Sequence, residues 1–395
     1  MQVPFHRPSI DQEEIDEVVD TLRSGWLTTG PKTAKFEQEF RNYLGAPQAQ
    51  AVNSCTAGLH LALAALNIGP GDEVITTPLT FCATVNVILH VGATPVLADV
   101  GDDGNISAST IEARITGRTR AIMPVHLAGL PCEMEAIWEV ARRHGLHVIE
   151  DCAHAVGSHY FGVPIGADNP LHGGHSKANV FSFYATKNLT TGEGGMVTSH
   201  DQEFIDTVKT LCLHGISRSA WNRYSDKGNW YYEVLRPGFK YNLTDIQSAI
   251  GIHQLAKLEG FLQERSRQAS FYNDQFADVE EVELPPVKDY CRHAWHLYML
   301  RLNLEKLEIT REQFIQALKE KGVGTSVHFI PIPIHPAYSE IAARAENACP
   351  QALKLYPRLV SLPLFPGMTV EQQTHVVESV KSVVQATRKA RLVLA

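Results

Sequence analysis

The stretch RAIMPVHLAGLPCEMEAIWEVARRHGLHVIED, residues 120–151, contains the pattern that indicates the fold most clearly. Its two ends, residues 120–126 and 146–151, are short runs rich in β-branched residues, and both are too uniformly apolar for strands with one exposed face. Between them, residues 134–145 repeat apolar side chains at intervals of three and four and end on a glycine, as helices often do. The stretch therefore predicts a strand, a crossover helix and a second, parallel strand.

The same alternation extends from residue 53 to about residue 197. Residues 73–77 and 94–100 are further candidate strands, and residues 56–66 form a second candidate crossover helix. This pattern predicts an α/β fold with a mostly parallel sheet that is covered by helices on both faces.

A helical pattern over residues 243–276 ends before LPPVKDY, residues 284–290, after which new strand and helix signals begin. Because 395 residues exceed what one ordinary core supports, we expect two domains. The boundaries predicted are residues 1–279 for a large domain and residues 280–395 for a smaller C-terminal α+β domain.

Composition narrows the classes of partner. The chain has 35 Lys and Arg against 43 Asp and Glu, a net charge of -8, and no basic run that would attract nucleic acid or an anionic membrane. The seven cysteines are scattered without a C-x-x-C pair, which is typical of reduced thiols. The charged start resembles no signal peptide, and no stretch reaches the roughly 18 apolar residues of a membrane span. We expect a cytoplasmic protein that acts on a small or anionic metabolite.

Two charged residues follow predicted strands and are expected at the carboxyl edge of the sheet, where ligands bind in α/β folds. Asp151 ends one strand, and it could serve a metal, a ribose or a protonated ring nitrogen, or it could cap a helix. Lys187 follows an apolar run in FSFYATKNLTTGEGGMV, residues 181–197, and precedes a glycine-rich turn. Lysine partly removed from water becomes an amine nucleophile that can form a Schiff base, although most loop lysines are simply solvated.

Two further segments supply groups for a planar, phosphorylated ligand. NSCTAGLHLAL begins with small and hydroxyl residues at a predicted helix start, where an anion is favoured and where Ser or Thr also serves as an ordinary cap. TPLTFCAT places Phe81 soon after a strand end, where the ring could stack on a planar ligand or join the core. A lysine, an acid, a phosphate cradle and a stacking aromatic together indicate pyridoxal 5'-phosphate (PLP).

The order of these motifs resembles the DegT/DnrJ/EryC1/StrS family of PLP-dependent nucleotide-sugar aminotransferases over nearly the whole chain. The matching segments also include GWLTTGP, GATPVLADV, PVHLAG, VIEDCAHA, YNLTDIQSAI, WHLYMLRL, VHFIPI and LPLFPGMT. The resemblance implies the aspartate aminotransferase (type I) fold, bound PLP and a homodimer.

Site residues follow from the resemblance by position. Lys187 matches the Schiff-base lysine, which is the catalytic residue, and Asp151 matches the acid that pairs with the pyridine nitrogen. The other matches are His154 facing the ring hydroxyl, Thr56, Ala57 and Ser182 at the phosphate, Phe81 stacked on the ring, Asn242 reaching the phosphate of the neighbouring subunit's cofactor, and His328 on the substrate side. For His328, core packing is nearly as good an interpretation. The active site is thus expected to be shared between subunits.

The substrate implied by the resemblance is a nucleotide-linked keto sugar, with glutamate as amino donor. GWLTTGPKT together with the SLPLFP segment looks most like enzymes that aminate C4 of UDP-linked 4-keto sugars for surface polysaccharides such as lipopolysaccharide. Amination at C3 of a UDP- or dTDP-linked sugar, or of a keto-inositol, is the alternative. A non-catalytic PLP-fold regulator is a remote one, because no segment is left for a DNA-binding module. Dehydratases of the family carry histidine in place of Lys187, so the lysine favours transamination.

Two departures from the family pattern stand out. Cys55 replaces the small residue expected before Thr56, with little effect if neighbouring backbone amides bind the phosphate. ADNPLHGGHSK, residues 167–177, is longer and richer in histidine than the usual link. His172 and His175 have no carboxylate or cysteine ligand nearby in sequence, so we expect no metal site there.

A nicotinamide cofactor would need a G-x-G-x-x-G after the first strand, and none is present.

Overall fold

A computed structural model of the chain describes residues 1–167, 176–217, 231–344 and 348–389. Its strands are β1 Gln48–Val52, β2 Glu73–Thr76, β3 Thr94–Leu97, β4 Thr119–Met123, β5 His147–Asp151, β6 His159–Tyr160, β7 Val163–Pro164, β8 Ala178–Ser182, β9 Gly195–Ser199, β10 Val282–Glu283, β11 Cys291–Arg292, β12 Tyr298–Leu302 and β13 Leu359–Leu362. Its helices are α1 Gln12–Ser24, α2 Pro31–Leu44, α3 Cys55–Ala65, α4 Ala83–His90, α5 Ala108–Glu112, α6 Met134–His144, α7 Gln202–Cys212, α8 Asp245–Phe276, α9 Arg311–Glu320, α10 Ser339–Ala342, α11 Pro350–Leu355 and α12 Val370–Thr387.

A seven-stranded sheet with the order β1-β9-β8-β5-β4-β2-β3 forms the centre of the molecule. Neighbouring strands from β3 to β8 are parallel, and β9 runs antiparallel to both β8 and β1. The predicted mostly parallel α/β sheet is therefore confirmed. Its strands are buried along nearly their whole length, which explains why the sequence shows continuous apolar runs.

The predicted elements are present with small shifts at their ends. Strand β4 ends at Met123, three residues before the predicted end, because Pro124 has no N–H for the sheet ladder. Strand β3 ends at Leu97, three residues before the predicted end at Val100. The predicted helices over residues 56–66, 134–145 and 243–276 correspond to α3, α6 and α8 within two residues at either end.

A second, three-stranded antiparallel sheet, β10-β12-β13, lies in the C-terminal part of the chain. Its core includes Val3 from the start of the chain and Ala269, Tyr272 and Phe276 from the end of α8. A different cluster joins Leu79 and Leu127, which precede residue 280, to residues such as Leu297 and Ile332. The division at residue 280 remains a prediction. Among the described helices, none has the length and hydrophobicity that crossing a membrane requires.

One buried carboxylate joins the N-terminal helices to α8. Asp245 is fully buried and accepts hydrogen bonds from the backbone N–H groups of Gly30, Lys32 and Thr33 at 2.7 to 3.0 Å, and from the Thr33 hydroxyl at 2.7 Å. It thereby satisfies the unpaired amides at the start of α2 from another helix. The segments GWLTTGP and YNLTD, which are far apart in sequence, thus meet in this contact.

Replacing Asp245 with alanine should lower the free energy of unfolding by about 3 kcal/mol, because buried amides of α2 lose a charged acceptor. Asp274→Ala provides a matched control, since Asp274 is exposed on the same helix. Urea unfolding followed by circular dichroism measures both. Equal midpoints for the two variants would contradict the structural role of Asp245.

Candidate active site

Asp151 lies at the carboxyl end of β5, where the sequence predicted a ligand-binding acid. Its side chain is buried and accepts hydrogen bonds from the Thr84 hydroxyl at 2.9 Å and the Ala153 N–H at 3.1 Å. Burial raises the pKa of Asp151, while these two hydrogen bonds and the positive charge of Lys187 oppose the rise. A second positive charge beside this carboxylate would stabilise its ionised form further.

Lys187 lies in the turn that follows β8, the neighbour of β5. The turn is closed by a hydrogen bond from the Lys187 N–H to the Tyr184 carbonyl at 2.9 Å. Burial lowers the pKa of Lys187 to about 8, and the negative charge of Asp151 opposes this fall. Within the described parts of the chain, the Lys187 amine has no hydrogen bond or ion pair. The structure therefore brings a free amine into electrostatic range of a buried carboxylate.

His154 is buried, and its hydrogen bonding fixes the position of its proton. The backbone N–H of Ala128, a residue in the left-handed region at φ 60°, donates to His154 Nδ1 at 3.2 Å. Burial, and then the charge of Lys187, hold the pKa of His154 well below its usual value. The neutral ring must therefore carry its proton on Nε2, which is left as a hydrogen-bond donor.

The start of α3 approaches Asp151 directly. The Cys55 thiol lies 3.8 Å from an oxygen of Asp151, and burial keeps the pKa of Cys55 well above its ordinary value, so that the thiol stays neutral. Ser54 caps the helix by accepting from the Ala57 N–H at 3.1 Å, whereas the Thr56 side chain has no partner among the described residues. A Cβ on Gly195 of β9 would lie 2.8 Å from the Cys55 nitrogen, so glycine there lets the helix start approach the sheet.

Two other predicted phosphate contacts lie near this region. Ser182 ends β8 and accepts a long hydrogen bond from the Tyr184 N–H at 3.4 Å, which leaves its hydroxyl proton free to donate. Asn242 pairs with Val52, three residues before α3, and its amide donates to the Thr29 hydroxyl at 2.8 Å. The prediction that Asn242 reaches a neighbouring subunit's cofactor remains a prediction, since the structure contains one chain.

Phe81 and His328 complete the set of predicted site residues. Phe81 is 60% exposed, and its ring lies 6.1 Å from that of Phe329, which in turn stacks on His154 at 5.6 Å. His328 Nδ1 lies 2.8 Å from the Ser361 hydroxyl. Burial, together with the charge of Lys187, lowers the pKa of His328 to about 4. His328 thus lies within electrostatic range of Lys187, and its substrate-side role remains a prediction.

Several contacts in this region are not evident from the sequence. Thr84 and Cys55 both contact Asp151, and each lies in a segment already singled out for another reason. Ala128 and Phe329 lie in the quoted segments PVHLAG and VHFIPI, but their roles in orienting and covering His154 were not evident, because these contacts join residues distant in sequence.

A buried group of possible metal ligands lies behind this site. One ligand atom each of His126, Glu150 and Cys152 lies within 4.8 Å of the others. His126 Nε2 contacts the Glu150 carboxylate at 2.8 Å, and its Nδ1 accepts from the Cys132 N–H at 3.0 Å. Both imidazole nitrogens are therefore occupied, which favours a structural network. His172 and His175 lie outside the described residues.

Comparison with known proteins places this architecture in a family. The model of the DegT/DnrJ/EryC1/StrS aminotransferase family matches residues 8–381. The spore coat polysaccharide biosynthesis protein SpsC of Bacillus subtilis is 49% identical over 385 residues, 97% of each chain. An uncharacterized protein of Methanocaldococcus jannaschii is 51% identical over 387 residues, 98% of each chain.

Solved structures agree in sequence and in shape. A putative sugar aminotransferase from Streptococcus pneumoniae is 34% identical, with TM-scores of 0.90 for its PMP-form and 0.89 for its PLP-form. The matches cover 98% of this chain and 100% and 99% of those chains. The chain therefore belongs to the DegT/DnrJ/EryC1/StrS aminotransferase family. It is a PLP-dependent aminotransferase with the type I fold, as the sequence predicted.

The residues present fit this cofactor. A free amine, a buried carboxylate, a neutral imidazole donor and an unpartnered threonine hydroxyl at a helix start lie around one edge of the sheet. These are the groups needed for the aldehyde, the pyridine nitrogen, the ring hydroxyl and the phosphate of PLP, respectively.

The pKa of Lys187 can be tested in cofactor-free protein. Labelling with a small amine reagent, followed by peptide mass spectrometry, should show a labelling rate for Lys187 with a midpoint near pH 8. Asp151→Asn should lower that midpoint, because removing the negative charge destabilises the protonated amine. A midpoint near the ordinary lysine value of about 10.4, unchanged by Asp151→Asn, would contradict the described electrostatics.

Proposed function

We propose that this aminotransferase moves an amino group from glutamate to the keto carbon of a nucleotide-linked sugar, specifically C4 of a UDP-linked 4-keto sugar. The product would be an amino sugar for a surface polysaccharide. The single observation that supports the chemistry best is the unpartnered Lys187 amine beside Asp151.

The sugar class is supported by the names of similar proteins. SpsC is named for spore coat polysaccharide biosynthesis, and the Streptococcus pneumoniae protein is a putative sugar aminotransferase. PseC of Helicobacter pylori, an aminotransferase of pseudaminic acid biosynthesis, is 30% identical over 98% of this chain and 100% of its own, with a TM-score of 0.89. The choice of nucleotide, of carbon and of donor rests on the motif resemblance alone.

In this proposal, each residue has a defined cofactor contact. Asp151 would hold the pyridine nitrogen in its protonated form, and His154 Nε2 would donate to the ring hydroxyl. Phe81 would stack on the ring. The phosphate contacts would be Thr56, Ala57 and Ser182 in this subunit and Asn242 of a second copy. PLP, when bound, supplies an electron sink for the pair released as a substrate C–H bond breaks.

Lys187 has two tasks in the reaction. Its amine first acts as the nucleophile that anchors the cofactor, and a pKa of about 8 leaves far more of it unprotonated at neutral pH than an ordinary lysine would have. With PLP bound, Lys187 Nζ would also act as the acid and base that takes a proton from the substrate carbon and gives it back. His328, near the lysine, contacts the sugar.

A homodimer and a cytoplasmic location belong to the same proposal. The large apolar side chains of Val234 and Leu235, which precede the segment bearing Asn242, are 59% and 60% exposed in the single chain. Exposed apolar patches of this kind often mark protein interfaces. Sedimentation equilibrium tests the dimer, and a purified holoenzyme with the mass of one chain would contradict it.

Spectroscopy of the reconstituted enzyme tests the donor and the acceptor together. The visible absorption of bound PLP should disappear on addition of glutamate and return on addition of a UDP-linked 4-keto sugar. If the absorption returned instead with a dTDP-linked sugar, a 3-keto sugar or a keto-inositol, that compound would replace the UDP-linked 4-keto sugar as the proposed acceptor. The absence of any spectral change with glutamate would contradict the proposed donor.

The control variants separate the roles of the residues. Lys187→Ala should bind PLP without turnover, and Lys187→Arg should not restore activity, since an arginine remains protonated. Asp151→Asn should lower the rate at least about 100-fold while Thr84→Val, which removes only one of its hydrogen bonds, lowers it less. Undiminished turnover by Lys187→Ala would refute the assignment.

A further inference from the structure

The start of the chain crosses the C-terminal part of the molecule and reaches the catalytic turn. We define residues 3–6 as the N-terminal strap. Val3 is 1% exposed, and it pairs in parallel with Val323 through hydrogen bonds to the Gly322 carbonyl at 2.8 Å and from the Gly324 N–H at 2.9 Å. The strap is therefore fixed at one end to the segment that leads to His328.

Two glycines make room for this chain crossing. A Cβ on Gly322 would lie 2.2 Å from the Met1 carbonyl oxygen, and a Cβ on Gly324 would lie 2.8 Å from the Phe5 nitrogen. Gly322 also has a φ of +81°, which disfavours any other residue. Close backbone contact with the strap is thus built into the segment from residue 322 to residue 324.

The next strap residue packs on the histidine near the lysine. The Phe5 ring stacks on His328 with a centroid distance of 5.6 Å and an interplanar angle of 24°. Because His328 Nδ1 is already held by Ser361 at 2.8 Å, the stack fixes the remaining rotation of the imidazole. The other imidazole nitrogen of His328, Nε2, therefore points in one fixed direction.

The last strap residue contacts the turn that bears the catalytic amine. His6 Nε2 lies 3.1 Å from the carbonyl oxygen of Ala185, inside the turn closed by Tyr184 and Lys187. Burial and the nearby Arg265 lower the pKa of His6 to about 4, so that the ring is neutral and Nε2–H is the donor. The Phe365 ring packs edge-to-face against the His6 imidazole, with ring centroids 6.3 Å apart.

We propose that Phe5 and His6 are positioning residues. Through them, the strap fixes the position of His328 relative to the turn that bears Lys187. His6 sets the place of the amine, and Phe5 sets the orientation of the substrate-side imidazole. The assignment to a reaction step rests on the proposed function, because it takes Lys187 as the proton carrier and His328 as a sugar contact.

The two residues should have separable kinetic effects. His6→Ala should lower kcat about tenfold with little change in KM, because a displaced amine transfers protons poorly. His6→Gln should recover most of this loss, since its amide can donate to the same carbonyl. Phe5→Leu should raise KM for the keto sugar several-fold, and Phe5→Tyr, which keeps the ring, should stay near wild type. Gln2→Ala, at an exposed position next to the strap, is the matched control.

A second measurement uses cofactor-free protein and does not depend on turnover. In His6→Ala, the pH midpoint for labelling of Lys187 should rise from about 8 toward the ordinary lysine value, because the turn loosens and water reaches the amine. His6→Gln should keep the wild-type midpoint. If the wild-type enzyme converts no keto sugar, the proposed function fails and this labelling comparison still tests the strap.

Two results would overturn the strap proposal. One is that His6→Ala and Phe5→Leu both match wild type in kcat, in KM and in the pH midpoint for labelling of Lys187. The other is an equal loss of activity in every variant, including Gln2→Ala, accompanied by a lower unfolding temperature, which would show that the strap serves stability alone.

Discussion

The active site depends on one constraint, which is that a lysine amine and a carboxylate are both withdrawn from water at one edge of a sheet. Burial lowers the pKa of Lys187 and raises that of Asp151, and each charge partly offsets the desolvation of the other. Asp151 has further hydrogen-bond partners, whereas the amine has none among the described residues. The result is a carboxylate held in place beside an amine that is available for chemistry.

The strand order brings these groups together. β5 delivers Asp151 and its parallel neighbour β8 leads into the Lys187 turn, so the two residues emerge side by side. The antiparallel β9 returns past this edge with Gly195, whose missing side chain allows α3 to start against the sheet. The start of α3 and Asp151 thus meet at this edge of the sheet, where ligands bind in α/β folds.

Much of this arrangement could be predicted from the sequence, because strand ends and buried apolar runs are local properties. The α/β class, the crossover helices and the positions of Asp151 and Lys187 followed from them. Other contacts depend on distant segments meeting, such as the Ala128 amide that sets the His154 tautomer and the strap that joins Phe5 to His328. The sugar substrate could not be predicted, because a fold does not determine which substrate the loops around its site bind.

The proposed chemistry requires Lys187 to be the amine to which the cofactor attaches. The most direct measurement is borohydride reduction of the PLP-reconstituted protein, followed by peptide mass spectrometry to locate the pyridoxyl group. We expect one modified peptide, the one that contains Lys187, and no stable label in Lys187→Ala. A label on another lysine, or the same yield of label in Lys187→Ala, would contradict it.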